Sequence, residues 1–155
     1  MTDHIDKFVR KLNDCWQSGR LAELASFYHP DAVLLPPDDG VPIIGRDNIL
    51  NTYRDFTAAA VLYEFQITEL ECFSFPAVAD DVSHPVPVPH PEPVTHVVHM
   101  RFEIEYELGD VLYRESGLEV YAIMEAQEDS DSTKVVWRSQ SVLDNRVLNE
   151  PSGTL

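Results

Sequence analysis

The chain has 155 residues and a formal net charge of −16, from 27 Asp and Glu against 11 Lys and Arg. A surface this acidic repels a phosphate backbone, so nucleic acid is not an expected partner. No apolar run approaches the ~20 residues of a membrane span, so no membrane partner is expected either. Hydrophobic residues at 44% and charged residues at 25% suit an ordinary globular protein, here a single domain over 1–155. The polar, periodic start MTDHIDKFVRKLND is unlike a secretory signal. Cys15 and Cys72 fit no disulfide framework and no paired metal motif, and the expected compartment is the cytoplasm.

Ile5, Phe8, Val9, Leu12 and Trp16 recur at spacings of three and four, which predicts a helix over 3–18. Thr2 or Asp3 can cap its start and Gly19 can end it in the left-handed conformation. A short helix follows with Leu21, Leu24, Ala25 and Tyr28 inward, stopped by His29-Pro30. AVLLPP reads as a short strand running into the turn DDGVP, where Asp38 and Asp39 sit. GRDNILNTYRDFTAA is a third helix with Ile49, Tyr53 and Phe56 on one face. From Tyr63 the chain turns to strands: YEFQITELECFSF, then 94–107, then VLYRESGLEVYAIMEA after the Gly109-Asp110 turn. KVVWRSQSVL follows the loop EDSDST, and the tail NEPSGTL frays. Three helices followed by a long antiparallel meander describe an α+β domain with helices on one sheet face.

Four of the six histidines fall within SHPVPVPHPEPVTHVVHM, residues 83–100. Alternating prolines exclude a helix or an interior strand, and the six prolines of 76–93 predict a surface-lying connection. In polyproline II, at about 3.1 Å per residue, His84 and His90 lie roughly 19 Å apart. His96 and His99 sit on the following strand at an odd offset, which sends them to opposite faces. These spacings hold no metal, and no metal site is expected.

The order of elements, with three local strings, resembles the nuclear-transport-factor-2-like superfamily, which includes SnoaL-like cyclases and ketosteroid isomerases. The strings are WQSGRLAELASFYHPDAVLL, then GRDNILNTYR, then the pair RESGLEVYAIM and KVVWRSQS, together spanning about residues 5–145. The resemblance implies a cone, a strongly curved, mostly antiparallel sheet wrapping three helices with a pocket between, commonly dimerised through the sheet. It carries two tyrosines of the isomerase hydrogen-bond network onto Tyr28 and Tyr53, and an acid of the penultimate strand onto Glu119. The isomerase's catalytic Asp and first-helix Tyr fall on Pro36 and Leu12. The Arg of limonene-epoxide hydrolases falls on Gly117, and their last-strand acid on Ser139. Neither catalytic set is complete.

From the chemistry of the residues, Trp16, Tyr28, Tyr53, Phe56 and Trp137 supply an apolar wall with inward phenol and indole donors. Glu119 is the expected pocket carboxylate, its pKa raised by burial as a neutral-pH acid or base requires. Against that placement, Leu118, Val120, Ala122 and Met124 form an apolar row that period two sends to the core. Glu119, Tyr121 and Ile123 would then lie on the outer face. A bulge at Gly117 would reverse that parity. On the strand 94–107, Val98, Met100, Phe102, Ile104 and Tyr106 make the inner row. His96 shares it as a second pocket base. The expected catalytic group is therefore Glu119, His96, Tyr28 and Tyr53, with Trp16, Phe56, Trp137 and Ser139 binding ligand. No phosphate loop, nucleophile triad or cofactor motif is present in the sequence, and no cofactor is expected. Two functions fit: a small-molecule-binding or dimerisation module, or a cofactor-free isomerase, hydratase or cyclase acting on an apolar oxygenated molecule. A homodimer through the outer face of the sheet is expected to cover Tyr121 and Ile123.

Overall fold

The computed structural model describes residues 3–37, 40–74, 94–125 and 133–149. The Pro-rich connection 76–93 with His84 and His90, the turn pair Asp38 and Asp39, the capping Thr2, most of the 128–133 loop and the tail after Asn149 lie outside the described residues.

Helix α1, Asp3–Gln17, buries Ile5, Val9, Leu12 and Trp16 on the stripe their spacing dictates. Gly19 at φ 74° closes it, a conformation that costs a glycine little. Helix α2, Leu21–Ala25, turns directly into strand β1, Tyr28–Leu35. β1 thus begins earlier than AVLLPP suggests, because His29-Pro30 sits at a strand start. It also gains a two-residue partner, β2 (Ile43–Ile44), that the turn composition concealed. Helix α3, Arg46–Ala59, buries Ile49, Leu50 and Tyr53. Four long strands follow: β3 (Ala60–Ser74), β4 (His96–Leu108), β5 (Val111–Glu125) and β6 (Thr133–Val147).

The six strands form one sheet in the order β2-β1-β6-β5-β4-β3, with the helices against one face. The meander β3 to β6 is antiparallel, and β1 closes onto β6 in parallel. The fold is α+β with a curled sheet and N-terminal helices, as the element order implies.

The face assignment on β5 is the reverse of the apolar-row reading. Tyr121 and Ile123 are fully buried against the helices, and Glu119 shares their face at 4% exposure. Tyr121 and Ile123 therefore leave no outer surface to cover. Ala122 and Met124 instead join Val33, Val136 and Trp137 in a second apolar cluster on the opposite face, with Val120 packed at its edge. The parallel β1–β6 pair and the adjoining part of β5 are buried on both sides, so hydrophobicity does not distinguish inside from outside there. Parity on β6 is set by a bulge. Ala122 pairs with Trp137 and Ile123 with Val135, leaving Val136 as the extra residue. Val135 and Arg138 can then both face the helices despite their odd offset.

The inner row of β4 is as its alternation predicts, with Val98, Met100 and Ile104 buried and Phe102 and Tyr106 packed beside them. Phe102 lies over Gly117 across the strand pair, where a Cβ would come within 2.4 Å of its ring. Gly117 is therefore required by the ring that covers it. A register shift does fall at Ser116/Gly117, but its extra residue is Leu143 on β6, so the parity of β5 itself runs on unchanged.

Candidate functional site

The helices and the concave sheet face line a half-open pocket of about 250 Å³. Trp16 of α1, Phe56 of α3, Phe65 of β3 and Phe102 and Tyr106 of β4 supply its aromatic wall. The rings lean on one another: Trp16 meets Phe65 edge-on at 5.3 Å, and Phe65 stacks on Phe102 at 5.4 Å. Tyr53, Glu119, Arg138 and Gln140 bring polar groups to the lining, with Thr52 and with Glu115, which accepts from the Tyr106 hydroxyl at 3.3 Å.

Tyr53, Glu119, Arg138 and Gln140 belong to one connected network. Arg138 forks onto the Glu119 carboxylate, with Nε donating to Oε2 at 2.8 Å and Nη2 to Oε1 at 2.6 Å. The Tyr121 hydroxyl donates to Oε2 at 2.6 Å, and Gln140 Nε2 donates to Oε1 at 3.4 Å. Arg138 also donates from Nη1 to the Tyr28 hydroxyl at 2.9 Å, and that hydroxyl lies 2.8 Å from the Tyr53 hydroxyl. On the α1 side Asn13 Nδ2 reaches Tyr121 at 3.4 Å, while Asn13 Oδ1 accepts the Trp16 indole N–H at 2.9 Å. The guanidinium also lies over the Tyr53 and Tyr121 rings, 5.1 and 5.3 Å from their centroids.

Burial sets the electrostatics. It pushes Glu119 up to about 7, against hydrogen bonds from Tyr121 and Gln140 that favour the carboxylate. The Arg138 fork also favours the charged form. Burial lowers Arg138 from its usual value and raises Tyr28 to about 12, so the Tyr28 hydroxyl stays protonated at neutral pH. Such an arrangement sets an acid of raised pKa beside a cation and a neutral phenol.

Glu119, Tyr53, Trp16 and Phe56 line the cavity, as the sequence suggests. Tyr28 is fully buried behind Arg138; it reaches the cavity through Tyr53 and Arg138 and does not stand at a mouth. Trp137 is a correction: one residue from Arg138 on an extended strand, it points away from the cavity into the outer cluster. Ser139 does not line the cavity either; it pairs with Leu35 and Val120. His96 does share the inner face of β4 but is not brought to Glu119. It sits beside His4 and Glu125, and burial lowers its pKa while Glu125 acts in the opposite direction. His99 is exposed on the other face, as the odd offset requires.

Asn13 and Tyr121 belong to the site although sequence patterns do not single them out. So does Arg138, for which the sequence offers two readings, an anion-binding group or a surface ion pair. Only the bulge at Val136 and the position of Tyr121 opposite Arg138 reveal that it faces inward. Asn13 carries a local signal, being a polar residue next to Leu12 and three before Trp16.

A SnoaL-like domain model matches residues 9–106. The chain belongs to the SnoaL-like family. No protein with a curated description matches its sequence. Among solved structures this SnoaL-like chain is similar to a ketosteroid isomerase-like protein from Erwinia carotovora atroseptica, at 12% identity and TM-score 0.64, covering 90% of this chain and 94% of that one. It is also similar to a putative Ca/calmodulin-dependent kinase II association domain from Exiguobacterium sibiricum, at 11% identity and TM-score 0.67 over 93% and 95% of the two chains. A third similarity is to nuclear transport factor 2 from Cryptosporidium parvum, at 17% identity and TM-score 0.56 over 88% and 90%. At these identities the likeness is one of fold, and it spans a catalytic-type namesake and two named otherwise. Among the described residues no helix is long and apolar enough to cross a membrane.

Proposed function

We propose that this SnoaL-like protein binds a small, mostly apolar molecule carrying one or two oxygen atoms in the cavity between helices and sheet. The observation that carries this reading is an aromatic wall lining the same pocket as Tyr53, Arg138 and Glu119, which one hydrogen-bond network joins. A cavity of about 250 Å³ suits a ligand smaller than drug-sized molecules, which occupy roughly 300–1,000 Å³. A carbonyl or hydroxyl oxygen would be held by the Tyr53 hydroxyl or an Arg138 N–H. The test is a ligand-observed NMR screen of neutral monocyclic phenols and cyclic enones against the purified chain. Binding is expected, weakened in the double variant Tyr28→Phe, Tyr53→Phe while the fold persists, because the rings remain and only the hydroxyls go. A double variant that binds every hit as tightly as the wild type would remove the polar half of the reading.

A second reading, cofactor-free acid–base chemistry, is favoured by Glu119. Its pKa of about 7 lets the carboxyl both accept and donate a proton at neutral pH, next to an oxygen held by Arg138 and Tyr53. Proton abstraction beside a carbonyl, with return at another carbon, would be an isomerisation. It is tested by deuterium incorporation into a bound cyclic enone, expected for wild type and absent for Glu119→Gln. Equal exchange in both proteins would leave only the binding function.

The reading includes a homodimer through the outer face of the sheet. Support comes from Leu143 and Leu148, exposed along and just beyond the C-terminal half of β6, in place of the buried Tyr121 and Ile123. The exposed Val142 and Val147 pair with Gly117 and Tyr113 and so share the inner-row face. Sedimentation is expected to give about twice the 17.6 kDa chain mass. A stable 17.6 kDa particle at micromolar concentration would refute it.

A further inference from the structure

A second polar cluster lies away from Glu119, where the start of α1 meets the ends of β4 and β5. His4 comes from the first turn of α1, His96 opens β4 and Glu125 ends β5. One ligating atom from each lies within 4.8 Å of those of the other two. His4 Nε2 is 2.8 and 3.0 Å from the two Glu125 oxygens, and the two imidazoles meet edge-on at 5.9 Å.

Two of the three side chains are held from behind. His96 is 7% exposed, and its Nδ1 lies 2.9 Å from the Thr95 hydroxyl, which also donates to the Ile123 carbonyl. Nε2 of that ring has no hydrogen-bond partner among the described residues. The Glu125 side chain is 7% exposed, and its Oε2 accepts from the Thr133 hydroxyl at 2.9 Å. His4 is the open side, with its side chain 45% exposed.

We propose that His4, His96 and Glu125 form a site for a divalent transition-metal ion of the zinc class. Two imidazole nitrogens and one carboxylate oxygen are a donor set that zinc accepts at about 2.0–2.2 Å, with a further coordination position left for water or another ligand. Donor atoms around a tetrahedral zinc lie about 3.3 Å apart, so the widest permitted separation must close by about 1.5 Å. The half-exposed His4 side chain has the freedom to do so. The Thr95 and Thr133 hydroxyls occupy the position of outer partners that hold a ligating ring and carboxylate in place. A plain ion pair between His4 and Glu125 requires neither the buried His96 ring nor those two hydroxyls. The site shares no residue with the Glu119 network and stands independently of the proposed ligand binding. It also lies outside any metal set the sequence suggests, because its members are brought together by three separate elements.

The test uses the full chain, stripped with chelator and dialysed, and titrated with zinc chloride in a calorimeter. One zinc per chain at micromolar affinity or better is expected, with a melting temperature that rises at saturating zinc. His4→Ala and Glu125→Gln should each weaken uptake at least tenfold, and His99→Ala should leave it unchanged. Cobalt(II) in place of zinc should give the visible absorption of a four-coordinate ion, lost in the same two variants. His96→Ala is a third probe, and since it removes a buried ring, the exposed His4→Ala is the variant that decides. The assignment is overturned by an absence of stoichiometric uptake or by uptake unchanged in His4→Ala. It is equally overturned by uptake abolished in His84→Ala, His90→Ala, which would put zinc on the Pro-rich segment.

Discussion

Two arginines on neighbouring strands of the same sheet show what burial does to one chemical pairing. Arg138 on the concave face is 3% exposed, grips a single carboxylate that is 6% exposed, and donates a third N–H to Tyr28. Arg114 on the convex face is 23% exposed and stands among three carboxylates, Glu64, Glu103 and Glu105, at 2.6–3.2 Å. The exposed arginine has more partners, yet water and salt screen each of them. The buried one has one charged partner, and neither member can fall back on solvent. Number of ion pairs is thus a poor guide to which arginine the fold depends on.

The largest expected effect breaks the buried pair. Arg138→Met should cost about 3–5 kcal/mol in urea unfolding at pH 8, where Glu119 is ionised in the wild type and must be either stranded as a buried carboxylate or protonated at a cost. Arg114→Met should leave the urea midpoint near the wild-type value. The double variant Glu119→Leu, Arg138→Met should recover most of that loss, since a buried pair replaced by apolar groups of similar volume is close to neutral. If the double variant is as unstable as the single one, the network is needed for packing and not only for charge balance.

A smaller effect is read against pH. The Glu119 carboxyl titrates at about 7 when folded, against the ordinary glutamate value of 4.5 when unfolded, so the folded state holds an extra proton between these values. Its stabilising contribution is fully present below about 4.5 and lost as pH rises through about 7, a difference of about 3 kcal/mol at about 1.4 kcal/mol per unit. Urea unfolding at pH 5 and pH 8 should therefore show a larger fall in stability for wild type than for Glu119→Gln. Equal falls in the two proteins would mean that Glu119 is already fully ionised at pH 5.

The smallest effect separates the arginines by salt. Raising sodium chloride toward 1 M shortens the Debye length to about 3 Å, which weakens the convex cluster and leaves the buried fork largely untouched. The stability difference between wild type and Arg114→Met should shrink with salt, while that between wild type and Arg138→Met should persist. A salt-sensitive Arg138 would place water inside the network.

Much of the architecture is legible in the chain itself. The helical stripe Ile5-Val9-Leu12-Trp16, the stop at Gly19, the Ile49-Tyr53-Phe56 face and the alternating β4 row are local patterns, each written in consecutive residues. Their chain order, with the strings shared by the superfamily, suffices to indicate an α+β cone. Tyr53, Trp16 and Phe56 follow from those patterns, because a helix packed on a sheet has one inward face.

The site's charges were decided by tertiary structure. Which face of β5 carries Glu119 depends on whether its apolar row meets helices or a second cluster, and both faces of that strand are covered. The inward turn of Arg138 depends on a one-residue bulge at Val136, a property of the pairing between β5 and β6 that no spacing within β6 discloses. The meeting of His4, His96 and Glu125 depends on three elements converging from positions far apart in the chain. Local periodicity records which side of its own element a residue occupies. Only packing records what stands on the other side of it.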